Sequence, residues 1–374
     1  MKSLYIIYGC YKPNIAPTNR LLAFLKNFDR QGVHVVVVFV YPNDKEDRLD
    51  ASGYKYLTVM YLWEGRHKQN KLVKYLRSLV DASRYAKRLP SQSKVLVVGS
   101  SEYMPFFAGR NDLQVYQERT EHYGVVTLHP GFLQKRYLKA VPKLKGMFVI
   151  STALKKAYEM IGAKNVSVVN MTVDANRFES LHKKDDQEKY VAYCGTASNN
   201  KDGVDDLIKA FTVVHKEYPT LKLYIIGKVP IKADASGNRE LVESLGLVDV
   251  VDFKGVIPAD EMPQILKNAE LLALARPDSL QAQCGFPTKL GEYLLTGNPV
   301  VVTKVGDIPL FLKDGESALL AEQRNPEDFA SKMLWALMHV QEAKVIGQIG
   351  KDVAMREFNS KTESEKIIKT IFQD

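Results

Sequence analysis

The chain is poor in cysteine: Cys10, Cys194 and Cys284 are the three in 374 residues. A sparse, odd, widely spaced set excludes a disulfide framework and a thiolate zinc site, and it suits a reducing cytoplasm. No apolar run approaches the ~18–20 residues that span a bilayer. The longest, Val33 to Val40, is interrupted by His34 and reads as a buried strand. The apolar part of the start, near Leu4–Tyr8, is too short for a secretory signal, and Ile7-Tyr8-Gly9-Cys10 has only a faint likeness to a lipoprotein cleavage box. Also missing are the G-x-x-x-x-G-K-[ST] phosphate loop, the G-x-G-x-x-G fingerprint and H-E-x-x-H. No Ser/His/Asp set stands at a nucleophile elbow, and no Asp-x-Asp loop offers itself to a metal. These absences count against simple NTPases, dinucleotide dehydrogenases and hydrolases.

What is present is an ordinary globular composition, 45% hydrophobic and 25% charged, in a chain long enough for two domains of similar size. The net charge of +9 is unevenly placed. Residues 1–185 hold 30 Lys+Arg against 15 Asp+Glu, a net +15, and residues 186–374 hold 22 against 28, a net −6. The first half is therefore expected to face something anionic: nucleic acid, an anionic membrane surface or a phosphorylated acceptor. Its basic residues gather on an expected helix 66–88 (Arg66, Lys68, Lys71, Lys74, Arg77, Arg84, Lys87, Arg88) and around Lys135, Arg136, Lys139, Lys143 and Lys145.

Strands and helices alternate from end to end. Val/Ile-rich strands are expected at Leu4–Tyr8, Val33–Tyr41, Lys94–Val98, Gln114–Glu118, Met147–Ile150 and Val166–Val169. After a polar stretch, Glu179 to Lys189, they resume at Tyr190–Cys194, Leu221–Ile226, Val250–Phe253, Leu271–Ala275 and Val300–Thr303. Continuous apolar strands separated by helices indicate parallel sheets covered on both faces. The expected division is 1–180 and 181–359. Segment 360–374, opening with the capping-box form Ser360-Lys361-Thr362-Glu363, is expected to pack back on the first domain. Each sheet should bind ligands beyond the carboxyl ends of its strands.

The most informative stretch runs from Gly285 to Val301, GFPTKLGEYLLTGNPVV. Gly285, Pro287 and Thr288 fit a tight turn opening a helix, and Gly297 closes it. The N–H groups of a helix start attract phosphate, a dipole contribution of roughly 0.3–1 kcal/mol. Glu292, two turns in, is placed to accept ribose hydroxyls.

This stretch resembles the donor site of retaining glycosyltransferases of family 4, of the bacterial surface-polysaccharide type. The resemblance continues through Tyr193-Cys194-Gly195-Thr196, Lys201-Asp202-Gly203-Val204, Leu223–Gly227, Val251–Pro258, Gly306–Pro309 and Asp314–Leu320. It implies the GT-B fold: two Rossmann-like α/β domains with parallel sheets facing across a cleft. It further implies transfer of a sugar from a nucleoside-diphosphate sugar, with UDP as the family-weighted base, to a glycan or polyprenyl-linked acceptor. Retention of configuration, no cofactor and no metal, and a cytoplasmic enzyme docked peripherally on the inner membrane face are also implied.

Carried onto this chain, Glu292 would hold the ribose, and Lys201 would contact the diphosphate. The backbone near Gly285, Thr288, Lys289 and Leu290 would meet the terminal phosphate, with Gly195 and Thr196 beside it. Val256 and Ile257 would border the base. Two positions depart from the pattern. Cys284 stands where the family has a second glutamate, and Thr196 where it has an arginine. Arg276, Lys228 or Lys289 are candidates to restore the charge, and Gln281 or Gln283 the sugar contact.

In the first half the resemblance is weaker. Gln117 and Glu118 stand near the family's strand-end histidine, and His122 follows. Lys201, Glu118 and His122 are thus the catalytic candidates. Asn14, Thr18, Asn19 and Arg20 are candidates to face the same cleft. Val173–Phe178 resembles the segment preceding the linker, a structural element. Rival readings are a non-catalytic sugar-nucleotide-binding subunit, a GT-B epimerase and a nucleic-acid binder; the last lacks a reading motif.

Overall fold

The computed structural model describes residues 2–42, 47–63, 70–184, 188–228 and 237–373. Arg66 and Lys68 lie outside them. The chain forms two compact units, Met1–Asn170 with Ser360–Asp374, and Met171–Asn359.

The first unit is built on seven parallel strands: β1 (Ser3–Tyr8), β2 (His34–Phe39), β3 (Leu57–Tyr61), β4 (Lys94–Val98), β5 (Gln114–Arg119), β6 (Gly146–Val149) and β7 (Val166–Val168), in the order β3-β2-β1-β4-β5-β6-β7. The central strands are sealed on both faces, which is why they read as unbroken apolar runs. The order reverses between β1 and β4, where open sheets of this kind place their ligands. Helix Ala16–Arg30 buries Leu21, Phe24, Leu25 and Phe28 on the sheet, a stripe at helical spacing. Ile367, Ile368 and Ile371 of helix Ser360–Phe372 complete the same core.

The second unit carries six parallel strands: β8 (Tyr190–Cys194), β9 (Lys222–Ile226), β10 (Val251–Gly255), β11 (Leu271–Leu274), β12 (Val300–Thr303) and β13 (Leu319–Ala321), in the order β10-β9-β8-β11-β12-β13. Its reversal lies between β8 and β11.

Several expectations need correction. The units part at 170/171, upstream of the expected 180/181, because residues 171–177 are bound into the second unit. Val173 bridges to Asn359, and Met171 and Val173 lie against Gly291. The helix expected over 66–88 is described from Lys71 to Arg88, with Asn70 capping it by accepting from the N–H of Leu72. The Glu363 carboxylate accepts from the N–H of Asn170 at 2.7 Å and pairs with Lys366. Strand β3 and helix Val340–Glu357 had no counterpart in the expected elements.

Candidate active site

The ends of β8, β9 and β11 are drawn together by glycines. A Cβ on Gly195 would lie 2.1 Å from Lys289 Nζ, one on Gly227 would lie 2.2 Å from the carbonyl oxygen of Gly195, and one on Gly203 would lie 1.9 Å from the carbonyl oxygen of Ala275. All three glycines have positive φ, so a side chain there is refused by conformation as well as by space. Removing side chains at a switch point lets loop backbones close up around a ligand.

Lys289, in the first turn of helix Thr288–Leu295, reaches into this junction. Its ammonium lies 2.6 Å from Asp202 Oδ2 and 3.2 Å from the Tyr193 hydroxyl. The Tyr193 hydroxyl is in turn 2.7 Å from Asp202 Oδ2 and 2.8 Å from the carbonyl of Thr196. Arg276, buried just past β11, brings Nη1 to 3.8 Å from Asp202 Oδ1. Burial opposes ionisation of Asp202, but Lys289 and Arg276 outweigh it and hold the carboxyl below its usual range. Burial also pushes the Lys289 ammonium down, against the pull of Asp202. One buried carboxylate thus faces two cations, so the cluster carries an excess positive charge at the strand ends. Burial pushes the Cys194 thiol up to about 11, which keeps it protonated at neutral pH.

The expected site residues fall into three groups. Gly195, Arg276 and Lys289 meet in the junction just described. Thr196 is exposed beside it and contributes its carbonyl. Lys201 is half-buried in the short helix Asn199–Asp202, immediately before the aspartate that holds Lys289. Leu290 is fully buried and its N–H donates to the carbonyl of Pro287 at 3.0 Å, so this amide is already used and does not await a phosphate. Thr288 follows Pro287, which caps the helix without a side-chain hydrogen bond, and Gly285 lies two residues before it.

Glu292 has a partner that sequence reasoning missed. Arg177 donates to its Oε1 and, through Nη2, to the carbonyl of Ala259 at 2.8 Å. The segment Val173–Phe178, expected to be structural only, therefore fixes the carboxylate. Val256 is exposed, whereas Ile257 lines a cavity of about 520 Å³ together with Tyr190, Tyr224, Lys254 and Ile265. That cavity contains none of the expected phosphate-site residues. In it Tyr224 is sandwiched between Tyr190 (ring centroids 4.1 Å apart) and the Lys254 ammonium. Cys284, one of the two departures from the family pattern, is buried, and beside it Gln283 donates to Asp278 while its Oε1 accepts from the N–H of Gly306.

In the first unit Glu118 pairs with Arg20 at 2.8 Å, both nearly sealed from solvent. Arg20 also donates to the carbonyls of Val169 (2.9 Å) and Asn170 (2.6 Å). The pair ties β5, and with it the candidate Glu118, to helix Ala16–Arg30 and to the end of β7. Thr18 and Arg20 are buried, not turned to a ligand. Gln117 is buried too, with Oε1 accepting from the Tyr137 hydroxyl. His122 stands apart on the loop after β5. Its Nδ1 accepts from the N–H of Gly124 at 2.9 Å, its ring stacks on Tyr123, and burial lowers its pKa. That acceptor role assigns the proton of the neutral ring to Nε2, which offers a hydrogen-bond donor and not a base.

Residues 188–339 match the family described as glycosyl transferases group 1. Among curated relatives, the D-inositol 3-phosphate glycosyltransferase of Segniliparus rotundus is 26% identical over 202 residues, 52% of this chain and 44% of the relative. The mannosylfructose-phosphate synthase of Agrobacterium fabrum is 29% identical over 156 residues, 40% of this chain and 33% of the relative. The chain thus spans less than half the length of these relatives. Among solved structures, HepE of Anabaena in complex with UDP superposes with a TM-score of 0.75 at 16% identity, all of both chains being covered. Sucrose-phosphate synthase from Thermosynechococcus elongatus gives 0.78 at 15%, covering 100% of this chain and 99% of the other. The chain has the GT-B fold, and its residues 188–339 are similar to the group 1 glycosyl transferases.

Proposed function

We propose that the chain is a glycosyltransferase that moves a sugar from a nucleoside-diphosphate sugar, UDP being the favoured base, to a glycan or lipid-linked acceptor with retention of configuration. The observation that carries this reading is the glycine-lined junction of β8, β9 and β11 with the Lys289 ammonium inside it. A diphosphate seated there would meet Lys289 and Arg276. As the bond from the anomeric carbon to the diphosphate breaks, charge gathers on the departing phosphate, and fixed cations stabilise it more in the transition state than in the ground state. Asp202 and Tyr193 hold Lys289 in place, so little reorganisation is needed during the reaction. Glu292, oriented by Arg177, would take the ribose hydroxyls, and His122 Nε2–H would donate to the sugar or acceptor. The buried, basic junction supplies the charge that the arginine missing at Thr196 would have given.

Titration calorimetry with UDP tests the site. Uptake by the wild type is expected, with Glu292→Ala weakening it about tenfold or more, the scale of one charge-assisted hydrogen bond. Lys201→Ala should slow transfer while binding persists. No uptake by the wild type, or unchanged behaviour of both variants, sinks the assignment. One second reading is favoured by the buried thiol of Cys284 where a carboxylate is usual: a subunit that binds sugar nucleotides without turnover. Incubation with UDP-, GDP- and TDP-sugars separates the two, because a transferase hydrolyses its donor slowly and a pure binder does not.

A further inference from the structure

Two buried side chains of β5 end in nitrogens that no group of the described residues engages. Gln117 is fully buried and Arg119 is 5% exposed. They stand two apart on one strand, so both point to the same face of the sheet, opposite to Glu118. Arg119 donates through Nε to the Tyr158 hydroxyl (3.2 Å) and through Nη1 to the carbonyl of Gly99, which follows β4. The Tyr158 hydroxyl, on helix Thr152–Met160, lies 3.3 Å from that of Tyr137 on helix Gly131–Ala140, and Tyr137 donates to Gln117 Oε1 at 3.1 Å. One hydrogen-bonded arc thus runs Arg119–Tyr158–Tyr137–Gln117. The nitrogens left over at its two ends, Arg119 Nη2 and Gln117 Nε2, are sealed from solvent and have no acceptor among the described residues.

Charge and valence say what these nitrogens require. Both are donors, and a buried donor without an acceptor is costly. The guanidinium also carries a full positive charge, and a buried charge persists only when it is paired. Among the described residues no carboxylate forms an ion pair with it. Glu118 is held by Arg20, and burial pushes the Glu102 carboxyl above its usual range in spite of the pull of Arg119. The nearby carbonyls already accept, Gly99 from Arg119 itself and Glu121 from the Tyr158 hydroxyl at 3.3 Å. A water at the two nitrogens would need acceptors for its own protons, whereas an anion only accepts.

We propose that Arg119 and Gln117 hold a small monovalent anion, of the chloride type, at the carboxyl end of β5. One uncompensated guanidinium sets the charge, and two enclosed N–H groups favour a single-atom ion over a phosphate. The carboxyl ends of parallel strands are where such sheets take ligands. The ion would fix Tyr158, against which the Tyr123 ring packs edge-on (centroids 5.6 Å apart), with His122 stacked on Tyr123 at 4.2 Å. Occupancy therefore sets the rigidity of the segment that carries His122. The site lies wholly in the first unit, so the assignment of the sugar-nucleotide junction does not bear on it.

Thermal melts at a constant ionic strength of about 0.1 M, with potassium chloride progressively replacing potassium gluconate, test the site. The first unit of the wild type should gain stability and then saturate, its midpoint rising by about 3 °C or more. Gln117→Glu puts a carboxylate oxygen where Nε2 stands and keeps the acceptor of the Tyr137 hydroxyl. That built-in anion should leave the variant without a chloride response, and Arg119→Met, which removes the charge, should lack one too. A general salt effect would appear in all three proteins, so the difference between them is what is read. Circular dichroism checks that each variant folds. Crystals of the wild type grown with sodium bromide should show an anomalous peak within hydrogen-bonding distance of both nitrogens. A wild type that melts alike in the two salts overturns the proposal, as does a Gln117→Glu chain that keeps the chloride response. A water in place of bromide at the two nitrogens overturns it without any variant.

Discussion

Asp202 decides the local electrostatics of the second unit. It is buried, and its charge is compensated by Lys289 and Arg276. Removing one partner of such a group costs about 3–5 kcal/mol, because the other is left buried and uncompensated. Asp202→Asn should therefore destabilise the protein at neutral pH, as read by denaturant melts. An aspartate whose folded pKa lies below its ordinary 3.8 stabilises the fold above that value and loses its contribution as pH falls through the lower one. The gap between wild type and Asp202→Asn should therefore close as pH drops below 3.8. A gap that holds constant through that window would refute the assignment. At this scale the sequence was half legible. Glu292, Lys289 and Arg276 stand in recognisable surroundings. Arg177 does not, because its partner lies 115 residues away and nothing in the local pattern announces a long-range pair. The partner of Glu118 was hidden for the same reason: Arg20 lies 98 residues off in another element.

Elements were most legible where burial is uniform. β2 reads HVVVVF and β8 reads YVAYC, and both lie in sheet interiors. β3 was invisible because it is the edge strand of its sheet and its residues alternate between half-buried and exposed, which left LTVMY without a clear apolar run. Helix Val340–Glu357 was hidden by Gly347 and Gly350, which read as breakers. Both are there for contact: a Cβ on Gly347 would lie 2.5 Å from the carbonyl oxygen of Gly297, and one on Gly350 would lie 2.5 Å from that of Ser317. Gly291 plays the same part in the donor-side helix, where a Cβ would lie 2.3 Å from both Met171 Cε and Val173 Cγ1. Gly291→Ala should cost about 1–3 kcal/mol through overpacking, although alanine favours helix by nearly 1 kcal/mol over glycine. Thermal melts that show the variant equal to or more stable than wild type would show that segment 171–173 gives way freely.

At the scale of the molecule, the second unit is inserted within the first. Residues 360–374 supply Ile367, Ile368 and Ile371 to a core otherwise made by residues 1–170. Each buried isoleucine is worth about 1.5–3 kcal/mol at most. A chain ending at Asn359 should lose the first unit's cooperative melt while the second unit, continuous in sequence, keeps its own; a single unchanged calorimetric transition would contradict this division. Parallel sheets could be anticipated from the alternation of strands and helices. Edge strands β3 and β13 could not, because they carry too little apolar sequence to declare themselves.

The inserted arrangement also dictates an order of assembly during translation. The face of helix Ala16–Arg30 that receives helix Ser360–Phe372 is made before the second unit, yet its cover emerges from the ribosome only after about 330 intervening positions have been read. The later-made unit can therefore finish first, while the earlier-made one waits with an open seam for the nascent chain to come back to it.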